Sequence, residues 1–197
     1  PNVRTSFLLV CFSQAIFQGA YSVLVSYLPI RHFGLGVGSI GMFQLATSLG
    51  LTAGFLLVWF FPHKINDENI ELPVKALGIS AVAVASALLL SVSHNLHFSL
   101  FLFMLFNLAY ECVWLHHSTK FYRASPKNYT ARYQFTISAC GAFFMSISTL
   151  GYSAAIEGLG LGAGIALILA TGLAFALLIA TLSGKSVVIE AMNRETP

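Results

Sequence analysis

Glu111 is the one acidic residue set well inside an apolar run of this 197-residue chain. A carboxyl partly withdrawn from water there can take and release a proton as the cavity it faces opens to one side and then the other, which makes Glu111 the candidate proton-coupling group. A structural acid bonded to Asn107 or to a nearby base is the plainer use of the same residue. Asn107, Glu111, Trp114 and Ser118 follow at i, i+4, i+7 and i+11, with Tyr110 beside them, so a helix places them on one face. Gln14, Gln18 and Tyr21 repeat the i, i+4, i+7 spacing in an earlier run, and Gln134, Ser138, Ser148 and Tyr152 form one stripe of a later one. Amides and aromatic faces orient an amphipathic ligand in a mostly apolar pocket, so Gln14, Gln18, Tyr21, Asn107, Tyr110, Trp114 and Gln134 are the candidate substrate contacts. Hydrogen bonding between helices would employ the same groups without any ligand.

Other reactive residue types point nowhere in particular. His116 and His117 are neighbours, and adjacent side chains diverge by about 100° on a helix, so they do not readily share a metal even with Cys112 one turn before. His94 and His97 fall in a short turn and are read the same way, so no metal and no cofactor is expected. Cys11, Cys112 and Cys140 lie singly in apolar runs, as small buried hydrophobes do. Gly34, Gly38, Gly50 and Gly54 suit close helix packing; no Lys-Ser/Thr follows them as a phosphate loop requires. Intramembrane proteolysis would want a serine or aspartate dyad and lipid-modifying enzymes clustered acids or histidines inside the spans, and the lone Glu111 meets neither need, so the chain is read as a non-enzyme.

The elements that carry these residues follow from composition. Hydrophobic residues make up 57% of the chain and charged ones 9%, with a mean hydropathy of +0.80, and only lipid can cover such a surface. The +3 formal charge is dispersed among short connections, with no basic patch for nucleic acid. Six stretches are long enough to cross about 30 Å of hydrocarbon: Ser6 to Leu28, Ser39 to Phe61, Val74 to Val92, Phe98 to Ser118, Ala131 to Ile156 and Ala163 to Ser183. Pro29 and Pro62 are expected to end the first two, Pro73 to precede the third, and Gly158, Gly160 and Gly162 to part the last two. Nine of the ten Lys and Arg fall on one side of this arrangement and Arg31 alone on the other, which predicts an even number of spans with both termini cytoplasmic. Glu111 then lies toward the cytoplasmic end of its span. The opening on Pro1 is consistent with a piece of something longer.

Polarity varies by span in the order rich, intermediate, bare, and then rich, intermediate, bare again. Three is odd, so the second triplet enters the membrane from the opposite side to the first, giving an inverted-topology repeat. In this the chain resembles one half of a major facilitator superfamily transporter. Tyr27-Leu28-Pro29, then Phe33-Gly34-Leu35-Gly36 and Ser39-Ile40-Gly41 leading into a span with Gly50 and Gly54, is similar to that family's phrasing, as is Gly158-Leu159-Gly160-Leu161-Gly162 between the last two spans. Pro62-His63-Lys64-Ile65-Asn66-Asp67 departs from the family's Gly-x-x-x-Asp-Arg-x-Gly-Arg loop, which is clearest in the N-terminal half, so the C-terminal half is the better match.

The resemblance implies an all-α membrane protein, residues 1–197 forming a single six-helix bundle of two inverted three-helix repeats. It implies a multi-pass protein of the bacterial inner (plasma) membrane, with lipid, a small-molecule substrate and the other half of the transporter, in the same polypeptide or a second chain, as partners. The implied activity is alternating-access transport of a small organic molecule, with proton-coupled efflux first and proton-coupled uptake by symport close behind. A complete six-span membrane protein of another class, an enzyme or a structural subunit, stands as the alternative.

Overall fold

The computed structural model describes residues 3–60, 82, 85–86, 93–124, 130–175 and 177–178, and among them there is helix and short turn but no strand. Four helices are long and apolar enough to cross a membrane, spanning Phe7–His32, Val37–Phe60, Leu96–Arg123 and Ala131–Leu159; a shorter apolar helix, Leu161–Phe175, follows. They match the first, second, fourth and fifth expected spans and the start of the sixth, and we keep that numbering. The expected third span, Val74 to Val92, lies outside the described residues except for Val82, Ala85 and Ser86, which are helical.

The first span is not one regular helix. Val3–Ser13 and Gly19–Tyr27 are α-helical, Gln14–Gln18 between them is a π turn, and a second π turn, Leu28–His32, extends the end. Pro29 therefore does not stop the span where its sequence suggests. Proline lacks an N–H to give the preceding turn, but its neighbours restore the ladder at wider spacing: Phe33 N–H donates to Leu28 O at 3.0 Å and Leu35 N–H to Pro29 O at 2.9 Å. Gly34, at φ 64°, then turns the chain in a conformation that disfavours a side chain. A short 3-10 turn, Val37–Ser39, leads into Ile40–Phe60.

Asn95 starts the fourth span. Its Oδ1 accepts from Phe98 N–H at 3.2 Å and its carbonyl from Ser99 N–H at 2.9 Å, satisfying donors that have no partner inside the helix. The helix Leu96–Ala124 runs past the expected end at Ser118, and Thr130–Leu159 forms the fifth span. Gly160, at φ 90°, reverses the chain into the sixth.

Neighbouring side chains reveal the direction of each helix. Phe7 faces Phe121, Phe17 faces Phe106 and Tyr110, and Tyr21 faces Phe103, so residue numbers fall along the fourth span as they rise along the first. The two are antiparallel. Gly50 abuts Met104 and Asn107 while Gly54 abuts Leu108 and Glu111, so the second and fourth spans are parallel. Gln14 meets Gly141 and Gly19 meets Ser148 and Tyr152, so the first and fifth are parallel too. The sixth doubles back on the fifth, with Gly164 against Ile156 and Tyr152 OH 2.8 Å from Thr171 Oγ1.

The core lies between the first and fourth spans. Leu24, Leu28, Phe43, Phe103 and Phe106 are fully buried there, and Phe17 is enclosed by Phe106, Tyr110 and Phe175. By contrast Trp59, Phe60, Phe135, Phe143, Leu150 and Leu159 on the second and fifth spans are exposed. An apolar belt of this kind is what hydrocarbon covers.

Candidate functional site

Glu111 lies at the middle of its helix rather than toward one end, because Leu96–Ala124 continues well beyond Ser118. The antiparallel register sets Gln14 level with Glu111, and Gln18 level with Asn107. The polar residues of the two richest spans thus form one belt at a common level of the first and fourth spans.

Within the belt the candidates separate. Asn107 and Tyr110 are 2% and 5% exposed, so a ligand would reach them only if the helices parted. Asn107 donates from Nδ2 to Phe103 O in its own helix at 2.8 Å and presses its Cβ toward Gly50, while Tyr110 packs on Phe17. Gln14, Gln18, Tyr21, Glu111 and Trp114 are half-buried, at the boundary of the core. Tyr21 stacks on Phe103 with centroids 6.0 Å apart. Glu111 lays its Cβ and Cγ along Gly54, and no basic side chain among the described residues adjoins it.

Gln134 is exposed and stands apart from the belt, level with the start of the first span. Its stripe divides in two: Ser138 is exposed with it, whereas Ser148 and Tyr152 turn inward onto Gly19. All four share a helix face, but on the earlier turns it is Ile137, clustered with Val10 and Phe121, that packs toward the first span.

Several hydroxyls in the described spans are satisfied at home. Ser13, Ser22, Thr47, Ser48, Thr136, Ser146 and Thr149 each donate to a carbonyl three or four residues back. Against that pattern Gln14 Oε1, Trp114 Nε1 and Ser118 Oγ are buried and lack a hydrogen-bond partner among the described residues. An acceptor and a donor so placed carry a desolvation cost that a bound polar molecule would relieve.

Two features here escape sequence reading. The π turn Gln14–Gln18 coincides with the amide pair, and such turns are rare and concentrated at functional sites. It also means that the pair's spacing is not that of a regular α-helix. Phe17 supplies the aromatic centre between the two rich spans, although one phenylalanine among 17 carries no mark of it. Comparison with protein-family models, with curated proteins and with solved structures finds no match to this chain.

Proposed function

We propose that this chain is one six-helix half of a secondary transporter that moves a small organic molecule by alternating access. Gln14, Gln18, Tyr21 and Trp114 contact the substrate on this reading, and Glu111 carries the coupled proton. The observation that supports it most is a pair of matching contacts. Gly50 of the second span abuts Asn107 of the fourth, and Gly141 of the fifth abuts Gln14 of the first. An inverted repeat that exchanges first with fourth and second with fifth carries one contact onto the other.

The sequence fits the same exchange. Gln14, Gln18 and Tyr21 correspond to Asn107, Glu111 and Trp114 at equal spacing, and Gly50 to Gly141 at nearly the same interval downstream. A parallel second and fourth span also calls for one return crossing between them, which the Val74 to Val92 stretch is expected to supply. The departures from the family's cytoplasmic loop favour the C-terminal half.

A half of this kind holds one wall of the cavity, so transport requires the other half. In the intact transporter, Glu111→Gln should abolish proton-driven accumulation or extrusion while leaving counterflow exchange of substrate. Proton-coupled transport by that variant at the parental rate would remove Glu111 from the role. Substrate binding by the isolated monomer of this chain, at the affinity of the intact protein, would overturn the half-transporter reading. Efflux is the first direction because the belt is rich in amides and aromatics and holds a single carboxyl; symport uptake is the second.

A further inference from the structure

The end of the first span and the turn before the fourth are joined through imidazole. His32 and His94 lie with ring centroids 5.7 Å apart and planes inclined by 18°. His32 Nε2 is 2.9 Å from the Ser93 carbonyl and so carries the proton when it bonds there, leaving Nδ1 as a free lone pair. A ring nitrogen held on a backbone carbonyl while the other is left open is the arrangement that orients metal-binding histidines.

The setting is braced on both sides. Phe33 packs edge-on against the His32 ring at 4.7 Å. Ser93, next to His94, is buried; its hydroxyl accepts from Ser99 Oγ at 2.9 Å and donates to Asn95 O at 3.3 Å, while Asn95 caps the helix that follows. His94 is exposed and His32 half-buried, so an ion has a path in.

We propose that His32 and His94 form a binding site for a divalent transition-metal ion of the imidazole-preferring class, Zn²⁺, Cu²⁺ or Ni²⁺. With Zn–N bonds of about 2.0–2.1 Å, two imidazoles that share an ion have centroids roughly 5–6.5 Å apart, and the observed separation falls inside that range. Among the described residues no third histidine, cysteine or carboxylate joins the pair, so water completes the coordination and the site is exchangeable rather than permanently filled. A bound ion would clip the first span to the start of the fourth, the two elements that carry the polar belt.

The test is a Zn²⁺ titration by calorimetry on the full chain in detergent, purified without a polyhistidine tag. One ion should bind, with affinity at least tenfold weaker in His32→Gln and in His94→Gln and unchanged in Cys140→Ser, which removes the most accessible thiol. As a reading that needs no variant, electron paramagnetic resonance of the parent loaded with one equivalent of Cu²⁺ should show two imidazole nitrogens on the metal. Parental Zn²⁺ affinity in both histidine variants, loss of binding in Cys140→Ser alone, or fewer than two imidazole nitrogens on Cu²⁺ would each overturn the proposal.

Discussion

Gln14 carries a cost to the fold that the proposed substrate contact would turn to use. Its carbonyl oxygen is buried without a partner among the described residues, pressed toward Gly141. Replacing such a group with an apolar one of similar shape removes a desolvation cost and little else. Gln14→Leu should therefore change thermal stability in detergent by less than about 1 kcal/mol, or raise it, and on the proposed transporter reading it should abolish substrate binding by the intact protein. A large drop in melting temperature would mark Gln14 as structural cement. Gly50 makes the opposite case, because a Cβ there would land on the Met104 carbonyl, which is backbone and cannot step aside. Gly50→Val should cost about 1–3 kcal/mol by overpacking, whereas Gly38→Ala, with nothing within 4 Å, should be neutral. Four glycines look alike in the sequence as packing residues; Gly50 and Gly54 meet another helix, and Gly34 and Gly38 do not.

At the scale of elements, the helices of the described residues are joined by close backbone approach and by few hydrogen bonds among those residues, as expected where lipid is as apolar as leucine and the driving force is packing. Tyr152 and Thr171 form one such bond between the fifth and sixth spans. Bonds of this kind in membranes are worth about 0.6 kcal/mol on average, so a double-mutant cycle of Tyr152→Phe and Thr171→Ala should return a coupling near that value. No coupling would mean that each hydroxyl finds an equal partner elsewhere; Thr171 already donates to carbonyls of its own helix. The π turns belong to this scale too. The apolar run foretells a helix over Ser6 to Leu28, but the insertion of a wide turn leaves the composition and the apolar run unchanged.

For the molecule as a whole, the alternation of direction from span to span makes a topology that chemistry can read. With Cys140 changed to serine, a cysteine in place of Gly36 should react with a membrane-impermeant thiol reagent in intact cells, and one in place of Lys127 only after permeabilisation. The reverse order would invert the protein in the membrane, and labelling of both from one side would contradict alternate crossing. Composition and run length alone determined helices long and apolar enough to cross a membrane, because an apolar run of that length buries its surface in hydrocarbon and satisfies its own backbone as a helix. The approximate places of the four long helices and of the two polar stripes came from the same source, since run length and spacing are local properties. The tertiary structure alone decided which spans touch, that Gln14 lies level with Glu111, that Asn107 and Tyr110 are enclosed while Gln134 stands outside, and that His32 reaches His94. Each of these depends on contacts between residues far apart in the chain, and the spacing within a single run carries no record of them.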